Sequence, residues 1–545
     1  MTRRFRFIFV LLCIVSSLPI SAQPYTQTLR GQVIEKQLQK PIPGATIRIE
    51  GSTLGTVSDI HGNFNILNVP IGRITMIASA IGYKETVLPN LLLQSGKELV
   101  ITIAMDEKLV EGKTILIKAQ GRKNKALNEL SAVSARAFSV EETQKYAAAV
   151  NDPGRMATNF AGVVSADDGN NNIVIRGNSP SGLLWRMEGI DVPNPNHFAN
   201  SGSGGGGVSI LSAQLLSNSD FVTGAFAAEY GNALSGVFDL NLRKGNNQQR
   251  EYTVQAGVLG LNLAAEGPFK KNSEASYLIN YRYSTLNILE KIGLNIMGEG
   301  TSTNFQDLSY NIVLPTKKWG TFSLFSFGGL STQSFSGAKD SMKWTSIFDR
   351  YENNFKSNTG VWGLTHRMHI HENTLLKTAI AYSVYENKFV QNYIQDDYTN
   401  KNMFNESYLT KKITLSSTLN HRFSSHSLLR TGIIFNHYDF NFRQTLRDHP
   451  EDPMKQLLNV GEQTQSAQAF AQWQYKWNEK WNLSGGLHAL YLFLNQRYSI
   501  EPRASLTYTA NTKNLVALGV GKHSQLQGFG TYFTEINTAS SLTRP

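Results

Sequence analysis

The sequence predicts a mainly β chain: an N-terminal β-sandwich, an α+β domain, and a transmembrane antiparallel β-barrel that is incomplete in this chain. Three observations lead there. Short β-prone runs recur about every eight to twelve residues as far as residue 105. A stretch rich in glycine and proline, residues 170–245, separates short β-branched runs. Beyond Gly245, longer segments alternate apolar and polar residues with a period of two, the pattern of strands with one face in lipid and the other in water.

Composition bounds the classes. The 545 residues exceed one ordinary core and suggest several domains. Charged residues make up 17% and aromatics 10%, so the chain is neither disordered nor highly solvated. A mean hydropathy of −0.26 excludes a helical membrane bundle but not a barrel, whose apolar face occupies alternate positions. The net charge of +11 comes from scattered Lys and Arg with no basic block past the N-terminus, which points to anionic lipid headgroups rather than nucleic acid.

Residues 1–22 read as a signal peptide. Arg3, Arg4 and Arg6 precede an apolar run over residues 7–15, and Ile20-Ser21-Ala22 ends in a small residue suited to cleavage. Cys13 is the only cysteine and lies in that run, so no disulfide or thiolate chemistry is expected in the mature chain.

Six strands are predicted within 28–105, over residues 29–34, 45–49, 55–58, 63–67, 74–80 and 99–104. Turn signals such as Pro41-Ile-Pro-Gly44, Asp59-Ile-His-Gly62 and Val69-Pro-Ile-Gly72 separate them. Asp59 and His61 are read as turn residues rather than metal ligands. In the polar connection 106–134 lies one isolated β-prone run, Lys113, Thr114, Ile115, Leu116, Ile117, Lys118 and Ala119, flanked by glycines. An unpaired strand of this kind can add to a partner's sheet, or it can be the sandwich's last strand or a plain linker.

Ser139-Val-Glu-Glu142 fits a capping box, and Asp152-Pro153 starts a second helix with Asp as N-cap and Pro in the first turn. The α+β domain, 135–245, then shows Ile173-Val-Ile-Arg-Gly177, Trp185-Arg-Met-Glu-Gly-Ile-Asp191 and Ala228-Glu-Tyr-Gly231. Asp167-Asp-Gly-Asn-Asn-Asn172 lacks the spacing and terminal glutamate of a calcium loop and is read as a solvated turn. Gly202-Ser-Gly-Gly-Gly-Gly207 imitates a dinucleotide fingerprint without the strand that should precede it, and is read as a flexible loop.

In the barrel portion, 246–545, one face of residues 467–477 reads Ala467, Ala469, Ala471, Trp473, Tyr475 and Trp477, and the other reads Gln468, Phe470, Gln472, Gln474 and Lys476. Further strands are predicted over 254–258, 275–282, 378–384, 483–493 and 504–509. Tryptophans around Trp477-Asn-Glu-Lys-Trp481 suit an interfacial girdle. Polar stretches 337–356 and 391–406 read as long loops. No nucleotide, hydrolase or paired-cysteine zinc motif is present, and no cofactor is expected. His369-Ile-His-Glu372 with distant His488 imitates the ligands of a zinc hydrolase, but residues 371–374 read as a tight turn at a rim, without the enclosed pocket such chemistry needs.

These motifs, in this order, closely resemble TonB-dependent outer-membrane receptors that carry a carboxypeptidase-regulatory-like domain ahead of the plug. Gly31-Gln-Val33, Pro43-Gly-Ala-Thr46, Gly55-Thr-Val-Ser-Asp-Ile-His-Gly-Asn-Phe64 and Ile81-Gly-Tyr83 carry the first part of the resemblance. Arg176, Gly177, Glu188, Gly189, Asp191, Glu229, Tyr230 and Gly231 carry the plug's. The resemblance implies no enzyme but an importer whose plug is displaced by the TonB complex, with residues 113–119 where such receptors carry their TonB contact. It leaves siderophore, cobalamin, glycan and peptide open as ligands, and a surface lipoprotein open as a partner. A ligand-sensing or surface-binding receptor without transport is the alternative, and a secreted zinc carboxypeptidase a remote one. Arg176 is expected to be held by Glu188, Asp191 or Glu229, since buried charges need partners. Plugged barrels of this kind use about 22 strands of about 9 to 11 residues. The 300 or so residues after Gly245 hold only about 12 to 14 with their connections, so the chain is expected to be a fragment or truncated product whose first and last strands do not pair.

Overall fold

A computed structural model describes residues 25–109, 126–131, 133–138, 152–165, 169–257, 260–271, 273–293, 300–511 and 514–533, and the backbone of 536–538 and 541–543. The expected signal peptide, the run 113–119 and the helix expected after Ser139 lie outside the described residues. The chain divides into two compact units, one holding Met1–Ile34 and Pro41–Met105, the other Glu35–Lys40 and Asp106–Pro545.

The first unit is a sandwich of two sheets. One runs Asn63–Pro70, Thr26–Glu35, Leu99–Met105, and the other Gly55–Val57, Thr46–Ile49, Gly72–Ser79, Thr86–Leu93. Alternate residues of both, among them Leu29, Val33, Ile47, Phe64, Met76 and Ile103, meet in one core, and each such side chain contributes about 1.5–3 kcal/mol by leaving water. Thr86–Leu93 is a strand the sequence pattern hides. Pro89 and Asn90 interrupt its alternation, and Asn90 takes φ +61°, which the sheet tolerates because this strand lies at its edge. Asp59 is indeed a turn residue, its Oδ1 accepting the His61 and Asn63 N–H groups at 2.8 Å each.

In the second unit, a five-stranded sheet runs Ile190–Asp191, Leu183–Met187, Gly236–Leu240, Ser219–Val222, Ala135–Phe138. Leu183–Met187 and Gly236–Leu240 are parallel and the other neighbours antiparallel. One face is aromatic: Trp185 stacks on Phe238 at 4.4 Å, and Phe238 on Phe221 at 4.4 Å. The helix Pro153–Ala157 begins as expected, Asp152 Oδ1 accepting from Gly154 and Arg155 N–H. The run expected to be a flexible loop is packed instead: Gly204, Gly205 and Gly206 are buried, and a Cβ on Gly204 would stand 1.8 Å from Pro180 O. Asn171 is likewise buried rather than solvated, donating to Asp152 Oδ2 at 2.5 Å and Asn196 Oδ1 at 3.0 Å.

The rest is one antiparallel meander of thirteen strands from Glu251–Gly257 to Leu515–Gly521. Trp473 and Trp477 are 47% and 75% exposed, while Gln472 and Gln474 on the alternate face are 5% and 2%, so the two-faced pattern holds. Outward aliphatics such as Val254, Ile380, Ile413 and Ile433 continue the apolar face. Of the polar stretches expected as long loops, 337–350 lie outside any strand, as expected, while 351–356 and most of 391–406 are strand. Tyr351–His371, Thr374–Ile394 and Asn400–Ser424 run through them. At about 3.3 Å per residue and about 45° tilt, the 25 residues of Asn400–Ser424 rise roughly 58 Å, well past an apolar layer of about 30 Å. Ladder bonds persist there in water, where the outward face no longer needs apolar residues. His369 and His371 end one strand and Thr374 begins the next, the tight turn expected. Among the described residues no ladder joins Glu251–Gly257 to Leu515–Gly521.

Candidate functional site

The sheet registers place one polar row across the central domain. Asp191 pairs with Arg186, Arg186 with Asp239, and Asp239 with Asp220, so four ionisable side chains share one face. All but the half-buried Asp239 are at most 9% exposed. Leu184, Val222 and Val237, two residues along from members of the row, form an apolar floor on the same face with Leu130, Phe226 and Tyr230.

Glu229 gathers this row to the wall. Its Oε2 accepts from Arg186 Nη1 at 3.1 Å, and its Oε1 pairs with Arg430 of strand Ser427–Leu446 and accepts Asn128 Nδ2 at 2.8 Å. Burial alone would raise the Glu229 carboxyl, but Arg430 and Arg186 outweigh it and hold it at about 2. Tyr230 OH donates to Asp239 Oδ2 at 2.8 Å, and Arg186 lies over the Tyr230 ring at 5.2 Å. Burial keeps the Asp239 carboxyl above its ordinary range, an effect that Arg186 reduces and Glu229 adds to.

The other expected residues are spread around this hub. Glu188 and Gly189, at φ +52° and +88°, turn the hairpin between Leu183–Met187 and Ile190–Asp191. Glu188 pairs with Lys377 Nζ at 2.8 Å and accepts the Leu242 N–H at 2.9 Å. Burial would raise it, yet Lys377 and Arg367 bring it below the usual carboxylate value. Asp191 O accepts from Lys412 Nζ at 2.7 Å. A Cβ on Gly231 would meet His488 Nε2 at 2.2 Å, so a larger residue there would have to displace the buried His488 ring. Arg503 Nη1 donates to Ala227 O at 2.5 Å and Tyr230 O at 2.8 Å, and His197 Nε2 faces Asp307 Oδ2 at 3.0 Å. The domain is thus tied to strands along much of the sheet.

The expectation for Arg176 is corrected. Arg176 is exposed at φ +50° beside Gly177 at φ +79°, and bonds Ser134 Oγ at 2.6 Å. Among the described residues no carboxylate pairs with it. The buried arginine is Arg186, ten residues on. Its signal was available: a lone charge inside Leu183–Met187, flanked by apolar residues on both sides. Asp239 carries the same signal in Gly236–Leu240, whereas Asp220, with Ser219 before it in Ser219–Val222, has an apolar neighbour on one side alone. Asn128 and Arg430 carry none, because only the fold brings them here.

Comparison with known proteins fits this architecture. Residues 29–117 match the family described as CarboxypepD_reg-like domain, a span that takes in 113–117 of the isolated run. The TonB-dependent receptor SusC of Bacteroides thetaiotaomicron is 27% identical over 260 residues, 44% of this chain and 23% of that protein. A TonB-dependent receptor of Formosa agariphila is 23% identical over 251 residues, 45% of this chain and 22% of that one. The chain therefore matches under a quarter of the length of these curated relatives. Among solved structures, a mutant ferric enterobactin receptor of Pseudomonas aeruginosa superposes with a TM-score of 0.52 at 14% identity, covering 73% of this chain and 63% of that one. At that identity the likeness shows the fold alone. The chain carries a CarboxypepD_reg-like domain, shares its fold with that receptor structure, and is similar over less than half of its length to SusC-like TonB-dependent receptors.

Proposed function

We propose that the protein is an importer of the bacterial outer membrane in which the central domain is a plug that must be moved for ligand to pass. The observation that carries this reading is the Arg186–Glu229–Arg430 arrangement, in which one buried carboxylate ties the central sheet to the strand wall. Removing one partner of a buried pair of this kind costs about 3 to 5 kcal/mol, and the sequence holds no nucleotide-binding motif that could drive the movement. Work must come from outside the domain, which is what an energised TonB partner supplies. Export by a cleaved signal peptide and outer-membrane lipid as surroundings belong to the same proposal. The ligand is one of the classes such a frame carries: siderophore, cobalamin, glycan or peptide, since specificity resides in the loops. The relatives carry the description of TonB-dependent receptors.

In this proposal residues 113–119 pair with the TonB partner as an added strand. Proline at Leu116 removes a backbone donor, so Leu116→Pro is expected to abolish uptake in cells while ligand binding at the surface persists. Unchanged uptake would return the run to the sandwich, as its last strand. Growth on a scarce nutrient that survives deletion of the TonB partner would favour the second reading, a surface receptor without transport, working with a lipoprotein.

A further inference from the structure

Residues 126–131 enter the central domain as neither helix nor strand, yet Ala126, Asn128, Leu130 and Ser131 are buried. A buried irregular segment needs a partner for each amide, and the amides of Leu127 and Asn128 find theirs on one carboxylate. Both oxygens of Asp220 are engaged by its backbone, Leu127 N–H donating to Oδ1 and Asn128 N–H to Oδ2, each at 2.7 Å. The Asn128 side chain makes four further bonds, one of them within the segment, where its Oδ1 accepts the Leu130 N–H at 3.1 Å. Its Nδ2 donates to Glu229 Oε1 at 2.8 Å and to Tyr230 OH at 2.9 Å, and its Oδ1 accepts from Arg430 Nη1 at 3.1 Å. On the wall, Gln472 Nε2 donates to Leu130 O at 3.2 Å while its Oε1 accepts the Ala228 N–H at 2.6 Å. Lys476 reaches Glu129 Oε2 at 3.0 Å.

The segment, the central sheet and the strand wall therefore meet on shared atoms. Glu229 Oε1 is at once Asn128's acceptor and Arg430's counter-charge. Gln472 holds the segment with one end of its amide and the Ala228-Glu229-Tyr230 turn with the other.

We propose that residues 126–131 are a release catch, in which Asp220 and Asn128 are positioning residues: seated, the segment completes the Glu229–Arg430 contact, and its withdrawal loosens the central domain from the wall. The direction of pull rests on the importer reading, since the segment leads back to residues 113–119; the catch itself does not. Withdrawal leaves Asp220 without its two N–H donors and Gln472 without the Leu130 carbonyl, and takes the Asn128 amide from Glu229 and Tyr230.

The test is hydrogen–deuterium exchange on the full chain in detergent micelles, without ligand or TonB, comparing wild type with Asn128→Ala, Asp220→Asn and Asp220→Ala. Asn128→Ala keeps both backbone bonds to Asp220, so a purely local role predicts faster exchange in 126–131 alone. The catch predicts acceleration of tenfold or more in Ala228 to Tyr230 and in Gly236–Leu240 as well. Asp220→Asn, which keeps one acceptor, falls between wild type and Asp220→Ala. Unchanged exchange in Tyr351–His371 and Thr374–Ile394 certifies that a variant is folded, and if Asp220→Ala is not, Asn128→Ala alone decides. Acceleration confined to 126–131 overturns the catch whatever uptake shows. TonB-independent uptake overturns the importer reading and leaves the catch standing.

Discussion

At the scale of single residues, the chain spends its buried charge on a few atoms, and Asp220 is the one whose protonation can be read. Burial is the largest influence and raises its carboxyl to about 6. The N–H donors of Leu127 and Asn128 and the charge of Lys36 lower it, and cross-strand Asp239 adds to the rise. The ordinary value is 3.8. Between these two pH values the folded state holds a proton that the unfolded state has released, so Asp220's contribution to stability falls as pH rises from about 4 to about 6 and is at its worst above that. The local consequence has the opposite sense. Protonation turns one of the two acceptor oxygens into a donor, and one of the two amides loses its bond. Exchange at Leu127 and Asn128, corrected for intrinsic chemistry, is therefore expected to speed up as pH falls through 6, and Asp220→Asn to flatten that profile. A flat wild-type profile would count against the assignment. The same scale shows what sequence reading misses. Arg176 and Arg186 both follow β-branched or apolar residues, and the family motif drew attention to the first. Only the second has apolar neighbours on both sides within its strand, which is the local condition for burial.

At the scale of elements, period-two alternation was legible in strands such as residues 467–477 but gave no prediction for Thr321–Phe335 and Ser427–Leu446, although Ile433 and Phe435 stand exposed on one face of the latter. Residues 467–477 separated cleanly into an outward and an inward set, whereas the polar ends of Tyr351–His371 and Asn400–Ser424 looked like loops because water on the outward face imposes no pattern. Composition misled in the opposite direction at the glycine run, where absent side chains signify close approach rather than freedom. The backbone of Gly204 lies against Pro180, that of Gly205 against Asn171, and that of Gly206 against His197. Gly204→Ala is expected to force Pro180 O aside, at a cost of about 1–3 kcal/mol or more. Thermal unfolding of the two proteins side by side checks this. Gly202→Ala serves as the control, since nothing lies within 4 Å of a Cβ there, although its φ of +75° adds strain of its own. Equal loss in both variants would mean that backbone conformation rather than packing governs the run.

At the scale of the whole molecule, counting residues against strand length anticipated the sheet. Thirteen strands formed within the span available, and the strand order ends at Glu251–Gly257 on one side and Leu515–Gly521 on the other. Which strands the central domain would touch was not legible, because those contacts join residues hundreds of positions apart, as Asn128 joins Arg430. Each outer strand has seven residues, and among the described residues no further strand pairs with its outer edge. In hydrocarbon each unpaired backbone group costs several kcal/mol, so two open edges outweigh what the outward Val254, Leu518 and Val520 gain there. A detergent micelle is less demanding, since it is mobile and lets water reach an edge, and exchange can be measured in it. A lipid bilayer does not allow this. Reconstituted alone into lipid vesicles, these 545 residues are therefore expected not to insert as a monomer: external protease should degrade the strands, and the chain should migrate identically on a gel whether or not it is heated. A protease-protected monomer with heat-modifiable migration would show that the two edges find each other in lipid, and would overturn the open sheet.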